Sequence, residues 1–121
     1  MNVPKKLFDL AERTALYAEN IRDFCMELPK NPANHIYLSQ LIRSGSSPAA
    51  NYIEANEGIG DKDFIMKIKT CRREAKESAL WLRLILTGGN PILEQKRNSL
   101  KQEARELVLI FSAILKKREI R

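Results

Sequence analysis

The stretch from Asp61 to Gly88 constrains the fold most, because its helical periodicity runs on without a proline or an interior glycine. At about 100° per residue, seven residues fall in an arc of roughly 80°, the width of a core-facing stripe. They are Phe64, Ile68, Cys71, Ala75, Ala79, Leu82 and Leu86. Leu80 and Leu84 fall on the back of the helix, where an isolated bundle would carry polar side chains. The stretch therefore predicts one long helix with more apolar surface than its own bundle can cover.

The charged residues in a second arc of the same helix, roughly 100° wide, are all cations. They are Lys62, Lys69, Arg72, Arg73, Lys76 and Arg83. The acids Asp63, Glu74 and Glu77 lie on the remaining side, so the charges are segregated rather than interleaved as helical ion pairs. An ordinary solvated face is one interpretation of this arc. A surface for a polyanion is the other, because cations in a row repel one another unless an anion faces them.

Three further helices are predicted from the same kind of pattern. The expected bounds are residues 4–28, 34–57 and 91–118 for helices 1, 2 and 4, with helix 3 at 61–88. Asp61 and Asn90 are expected as N-caps, and Gly58 as the C-terminal cap of helix 2. Short connections between four helices predict an all-α, antiparallel up-down-up-down bundle, with residues 1–121 as a single domain.

Pro48 falls inside the second helix. The apolar positions keep helical phase through Ser46, Ser47 and Pro48, which favours one helix kinked near Pro48. Serine hydroxyls are expected to satisfy the backbone groups that the proline frees. Two helices broken near residues 45–47 are the alternative.

Composition places the chain among basic globular proteins. It has 121 residues, a formal net charge of +6 and 44% hydrophobic residues. A basic domain of this size is biased toward polyanions, chiefly nucleic acid. No signal-peptide pattern or long apolar run is present, so a cytoplasmic location is expected.

The residues of known catalytic and metal sites are missing from the sequence. His35 is the single histidine, and Cys25 and Cys71 fall on apolar stripes as buried free thiols. One histidine and two separated cysteines match no known zinc-site spacing and no histidine-dependent nucleophile arrangement. No enzymatic activity, metal or cofactor is therefore expected.

Two further sets of residues are candidates for packing between helices or subunits. Arg43, Ser47, Asn51 and Glu54 fall along one line of helix 2. This line is either a solvated face or a partly buried network in which Glu54 pairs with a cation of helix 3. Trp81, Leu80, Leu84 and Leu109 are candidates for a subunit interface, where large aliphatic and aromatic side chains are enriched. The competing interpretation is a thick core that buries Trp81 alone.

A resemblance to a known family rests on the middle of the chain. The matching positions are SGSSPAANYIEA at residues 44–55, then Asp63-Phe64, Lys67, Glu74-Ala75, Glu77-Ser78 and Trp81-Leu82. With these residues the chain resembles the bacterial four helix bundle proteins, also called the 23S rRNA intervening-sequence or S23 family. That family is related to the accessory variability proteins of diversity-generating retroelements. The likeness covers helices 2 and 3 closely and helices 1 and 4 by pattern.

The resemblance implies a four-helix subunit assembled into a ring-shaped homopentamer, with positive surface that engages RNA or DNA. It also implies a reverse transcriptase as a possible partner, and no catalytic residues. Two functions from different classes follow from the sequence and the resemblance together. One is a nucleic-acid-binding homo-oligomer with phosphate contacts from the six cations of helix 3, and the other is a scaffold that binds an acidic protein. A structural protein with no ligand is a third.

Overall fold

The computed structural model describes residues 9–58 and 60–119, and within them it forms four helices and no strand. We number the helices in chain order: α1 Leu10–Glu27, α2 Pro32–Ala55, α3 Asp61–Leu84 and α4 Pro91–Glu119. Each helix packs on the next one in the chain, and α4 packs back on α1. Ion pairs such as Lys96–Glu27 and Arg118–Asp61 join the start of one helix to the end of its neighbour. The predicted all-α, antiparallel four-helix fold is confirmed.

The starts of α1 and α3 differ from the predicted ones. Asp9 is extended and caps α1, since its side chain accepts a hydrogen bond from the Glu12 N–H at 3.2 Å. The predicted start at Pro4 lies outside the described residues, but α1 does not continue back through Asp9. At α3 the N-cap is Gly60, and Asp61 is the first helical residue, so its prediction as N-cap was wrong. Asp61 instead places an acid in the first turn, where the helix dipole favours it.

The end of α3 comes at Leu84, four residues before the predicted end at Gly88. The reason is Asn34, whose side chain donates to the Leu86 carbonyl and accepts from the Leu86 N–H, both at 2.9 Å. Asn34 also donates to the Pro29 carbonyl at 2.8 Å. We call these contacts the Asn34 latch. They hold the backbone at Leu86 outside the helix, and the Leu86 side chain is exposed rather than part of the core stripe.

The proline in α2 does not break the helix, which is continuous through Pro48. The alternative of two helices was therefore wrong, while a bend at Pro48 stays a prediction. Ser44 and Ser46 donate to the Gln40 and Ile42 carbonyls, about two turns before the proline, rather than to the Ser44 carbonyl that Pro48 leaves without a helical donor. The predicted cap at Gly58 was also wrong. Asn56 caps α2, and Gly58 follows with a φ of 79°.

The core combines the buried residues of the predicted α3 stripe with two aromatic residues of α1, Tyr17 and Phe24, both fully buried. Tyr17 reaches across the diagonal of the bundle, and its hydroxyl is 2.7 Å from the Ser78 hydroxyl on α3. One turn further along the same face of α1, Ile21 packs against Gly45. A Cβ at position 45 would lie 3.0 Å from two Ile21 carbons, so the close approach of α1 and α2 requires glycine there.

Candidate nucleic-acid interface

The cation arc of α3 is divided by the packing of its neighbours. Arg72 is half-buried, and its guanidinium donates to the Ser112 hydroxyl of α4 at 3.5 Å. Lys76 lies on the same side of α3, next to α4. Arg73 is on the solvent face with 70% of its side chain exposed, and its contact with Glu74 is 3.6 Å long. The remaining members, Lys62, Lys69 and Arg83, are exposed.

A groove runs along the contact between α3 and α4, with a volume of about 220 Å³. Lys76 on α3 and Lys101 and Arg105 on α4 line it, chiefly with the aliphatic parts of their side chains. The other three lining residues are small or aliphatic: Ala79, Ala104 and Val108. We call this site the basic groove. It brings one predicted cation together with two that were not predicted.

The charges of α4 are sorted by the helix they face. Glu103 and Glu106 point toward α1, where Arg13 pairs with both of them, in each case at 2.7 Å. Lys101 and Arg105 are one turn apart on the α3 side and line the basic groove. The sorting follows from spacing, because residues three or four apart share a helix face. Arg13 has a raised pKa, chiefly through its hydrogen bond to Glu103, and stays charged.

The cations of the basic groove are not neutralised within the subunit. Across residues 9–58 and 60–119, Lys76, Lys101 and Arg105 form no ion pair with an acid. Arg105 instead donates to the side-chain carbonyl of Gln102. Three cationic residues therefore line one groove, and within the described residues none of them is paired with an acid.

The polar line of α2 divides into three separate contacts. Arg43 bridges to α3, pairing with Glu74 at 2.8 Å and with Glu77. Asn51 donates to the Ser47 hydroxyl within α2 at 2.9 Å. Glu54 pairs with Lys67 of α3 at 2.6 Å, but 57% of the Glu54 side chain is exposed. The α2–α3 ion pair expected of Glu54 is present, and it lies at the surface rather than in a buried network.

The four candidates for a subunit interface do not share one environment. Leu80, Leu84 and Leu109 are exposed, with Leu109 at 64%. Trp81 is half-buried: its ring centroid lies 5.9 Å from that of Tyr37, and its Nε1 donates to Glu77 at 3.0 Å. Leu80 is one turn from Lys76, and Leu109 one turn from Arg105, so apolar residues adjoin both rims of the basic groove.

Other site chemistries find little support in the described part of the chain. Burial raises the pKa of the Cys25 and Cys71 thiols to about 12, which disfavours the reactive thiolate. No cluster of three or more metal-ligating side chains occurs among residues 9–58 and 60–119. None of the helices there has the length and hydropathy needed to cross a bilayer.

These features define a class of protein: an antiparallel four-helix bundle with one unneutralised basic groove. Among solved structures, the chain is similar to a protein of unknown function from the S23 ribosomal protein family of Bacteroides thetaiotaomicron VPI-5482. The two share a TM-score of 0.77 at 24% identity, over 88% of this chain and 98% of that one. The resemblance to the S23 family is thereby confirmed at the level of the fold. No family model matches the sequence, and no curated protein is significantly similar to it.

Proposed function

We propose that the protein is a non-enzymatic, basic homo-oligomer that binds nucleic acid through phosphate contacts. The observation that carries this proposal is the basic groove, which Lys76, Lys101 and Arg105 line without an ion pair to an acid of the described residues. Like charges on one surface repel one another, and a polyanion relieves that repulsion while releasing its own counterions. The exposed cations of α3 extend the same positive surface along the helix.

The full set of proposed phosphate contacts joins the α3 arc to the two groove cations of α4. It consists of Lys62, Lys69, Arg72, Arg73, Lys76, Arg83, Lys101 and Arg105. Contacts of this kind carry little sequence information, so binding should be weakly selective and strongly dependent on salt.

We propose self-association through the exposed leucines Leu80, Leu84 and Leu109, with Trp81 at the edge of the contact. Exposed apolar groups of this size on a soluble bundle are typical of surfaces that another chain covers. The family resemblance suggests a ring of five subunits, a cytoplasmic location and an accessory role beside a reverse transcriptase or another RNA-handling enzyme. Light scattering tests the assembly, and a mass that stays monomeric at high concentration would contradict it.

The binding proposal is tested by titrating RNA and DNA oligonucleotides at several salt concentrations. The test variant reverses two groove charges, Lys76→Glu with Arg105→Glu. The matched control, Arg22→Glu with Lys30→Glu, makes the same change in net charge at exposed positions outside the groove. We expect the test variant to lower the slope of log K against log salt by about 2, one unit per lost contact, and the control to change it little.

Equal effects of the two variants would mean that net charge alone attracts the ligand, and the groove would lose its role. The competing function, a scaffold for an acidic protein, predicts a different result. Binding would then survive nuclease treatment, and the retained partner would be acidic.

A further inference from the structure

We infer that the basic groove accepts a single strand of nucleic acid in preference to a duplex, an inference that rests on the proposed function. The first observation is the position of the three groove cations. Lys76 lies on the α3 rim, and Lys101 and Arg105 lie on the α4 rim, on either side of a concave seam. Cations on two facing rims converge on one line of phosphates, which is what a single strand presents.

The width of the seam supports the same preference. Packed helix axes lie about 8–10 Å apart, and alanine at the contact favours the short end of that range. Ala104 on the floor of the groove is fully buried, and Ala79 faces it from α3. A duplex is convex, and proteins read it with elements that protrude into its grooves, of which the major one is about 12 Å wide. The seam lies between two helices packed side by side, so a duplex would rest across both helices and contact the exposed cations of α3, such as Lys62 and Arg73.

The apolar surface of the groove is what the base and sugar of a bound nucleotide would contact. Ala79 and Val108 form an apolar strip together with the aliphatic parts of the rim side chains, because Ala104 beneath them is fully buried. In a single strand the base is free to turn onto such a strip, whereas in a duplex it is stacked and paired. None of the six lining residues is aromatic, so no ring is available for a base to stack on. The apolar lining would only exclude water from the base, and we therefore expect low selectivity among bases.

The experiment compares two probes on three proteins. The probes are a poly(U) single strand and an RNA duplex with the same number of nucleotides. The proteins are the wild type, the groove variant Lys76→Glu/Arg105→Glu, and the outer-face variant Lys62→Glu/Arg73→Glu, which makes the same charge change on exposed positions of α3. Circular dichroism on each protein confirms that these exposed substitutions leave the helices folded.

We expect the wild type to bind the single strand more tightly than the duplex. The groove variant should lose about tenfold or more in affinity for the single strand, and its loss of affinity for the duplex should be much smaller. Its slope of log K against log salt for the single strand should fall by about 1.4. The outer-face variant should show the reverse order of losses. A groove variant that loses both probes equally, or a wild type that prefers the duplex, would overturn the single-strand inference and leave nucleic-acid binding intact. A wild type that binds neither probe at low salt would overturn the proposed function and this inference together.

Discussion

Helix α3 makes two seams with its neighbours, and they treat charge in opposite ways. On the α2 side, Arg43 forms an ion pair with the buried Glu74, and Lys67 forms one with Glu54. On the α4 side, Lys76 lines one groove with Lys101 and Arg105, and an ion pair at the helix ends joins Arg118 to Asp61. We call the first the closed seam, because its charges pair within one subunit, and the second the open seam, because its three groove cations have no acidic partner among residues 9–58 and 60–119. The comparison teaches that position on α3, not overall composition, decides which charges hold the bundle together and which are available to a ligand.

The two seams should therefore respond differently to substitution. Changes on the closed side should cost stability and leave ligand binding alone, because their partners are inside the subunit. Changes on the open side should cost ligand binding and leave stability alone. The four expectations below test that separation.

The largest loss of stability should come from Asn34→Ala, at the end of the closed seam. Asn34 is fully buried and makes three side-chain hydrogen bonds to the backbone at Pro29 and Leu86. Its truncation leaves those backbone groups unpaired in the interior, at a cost of about 3 kcal/mol in the free energy of unfolding. Urea denaturation measures this cost. The exposed Asn98→Ala is the control and should cost less than about 0.5 kcal/mol.

The next effect concerns the ion pair at the middle of the closed seam. Arg43→Ala leaves the Glu74 carboxylate, whose side chain is only 9% exposed, without its shortest partner, and should cost about 2 kcal/mol. Arg73→Ala removes a cation that contacts the same carboxylate at 3.6 Å from an exposed position. We expect a much smaller loss there, and equal losses in the two variants would show that Arg43 has no special role.

A smaller effect is expected at Glu54, where the sequence hypothesis and the structure give different magnitudes. A buried lock between α2 and α3 predicts that Glu54→Ala costs more than an ordinary surface change. The exposed Glu54–Lys67 pair predicts a loss close to that of the surface control Glu57→Ala, because solvent screens such pairs. A loss well above the control in urea denaturation would restore the buried lock.

The smallest change in stability is expected in the open seam. Lys76→Ala with Arg105→Ala removes repulsion and no ion pair, so the free energy of unfolding should stay within about 0.5 kcal/mol of wild type. Added salt should stabilise the wild type more than this variant, because it screens a repulsion that the variant lacks. A clear destabilisation would mean that the groove cations have a structural role within the subunit.

The sequence predicted what depends on neighbours along the chain. Helix number, the start of α4 at Pro91 with Asn90 as its cap, and the buried α3 stripe of Ile68, Cys71 and Ala75 all follow from local spacing. The four-helix fold followed from the same spacing.

What sequence reasoning missed depends on how the helices are turned against one another. Asn34 and Leu86 are 52 residues apart, and no local pattern signals their hydrogen bonds. Lys101 and Arg105 were also missed, although their i, i+4 spacing beside the α4 core stripe was readable. The rotation of α4 against α3 places them across from Lys76, so the groove could not be predicted without knowing how the two helices pack.

The hydroxyl pair of Tyr17 and Ser78 also affects the longitudinal alignment of α1 on α3. Both groups are buried, and the Ser78 hydroxyl donates to the Ala75 carbonyl of its own helix, so the Tyr17 hydroxyl is the donor between the helices. Sliding α1 by one turn, about 5.4 Å, would leave the Tyr17 hydroxyl buried without its acceptor. Aliphatic side chains alone tolerate such slips, since one leucine packs much like the next. This oxygen–oxygen contact therefore favours one alignment of α1 along α3.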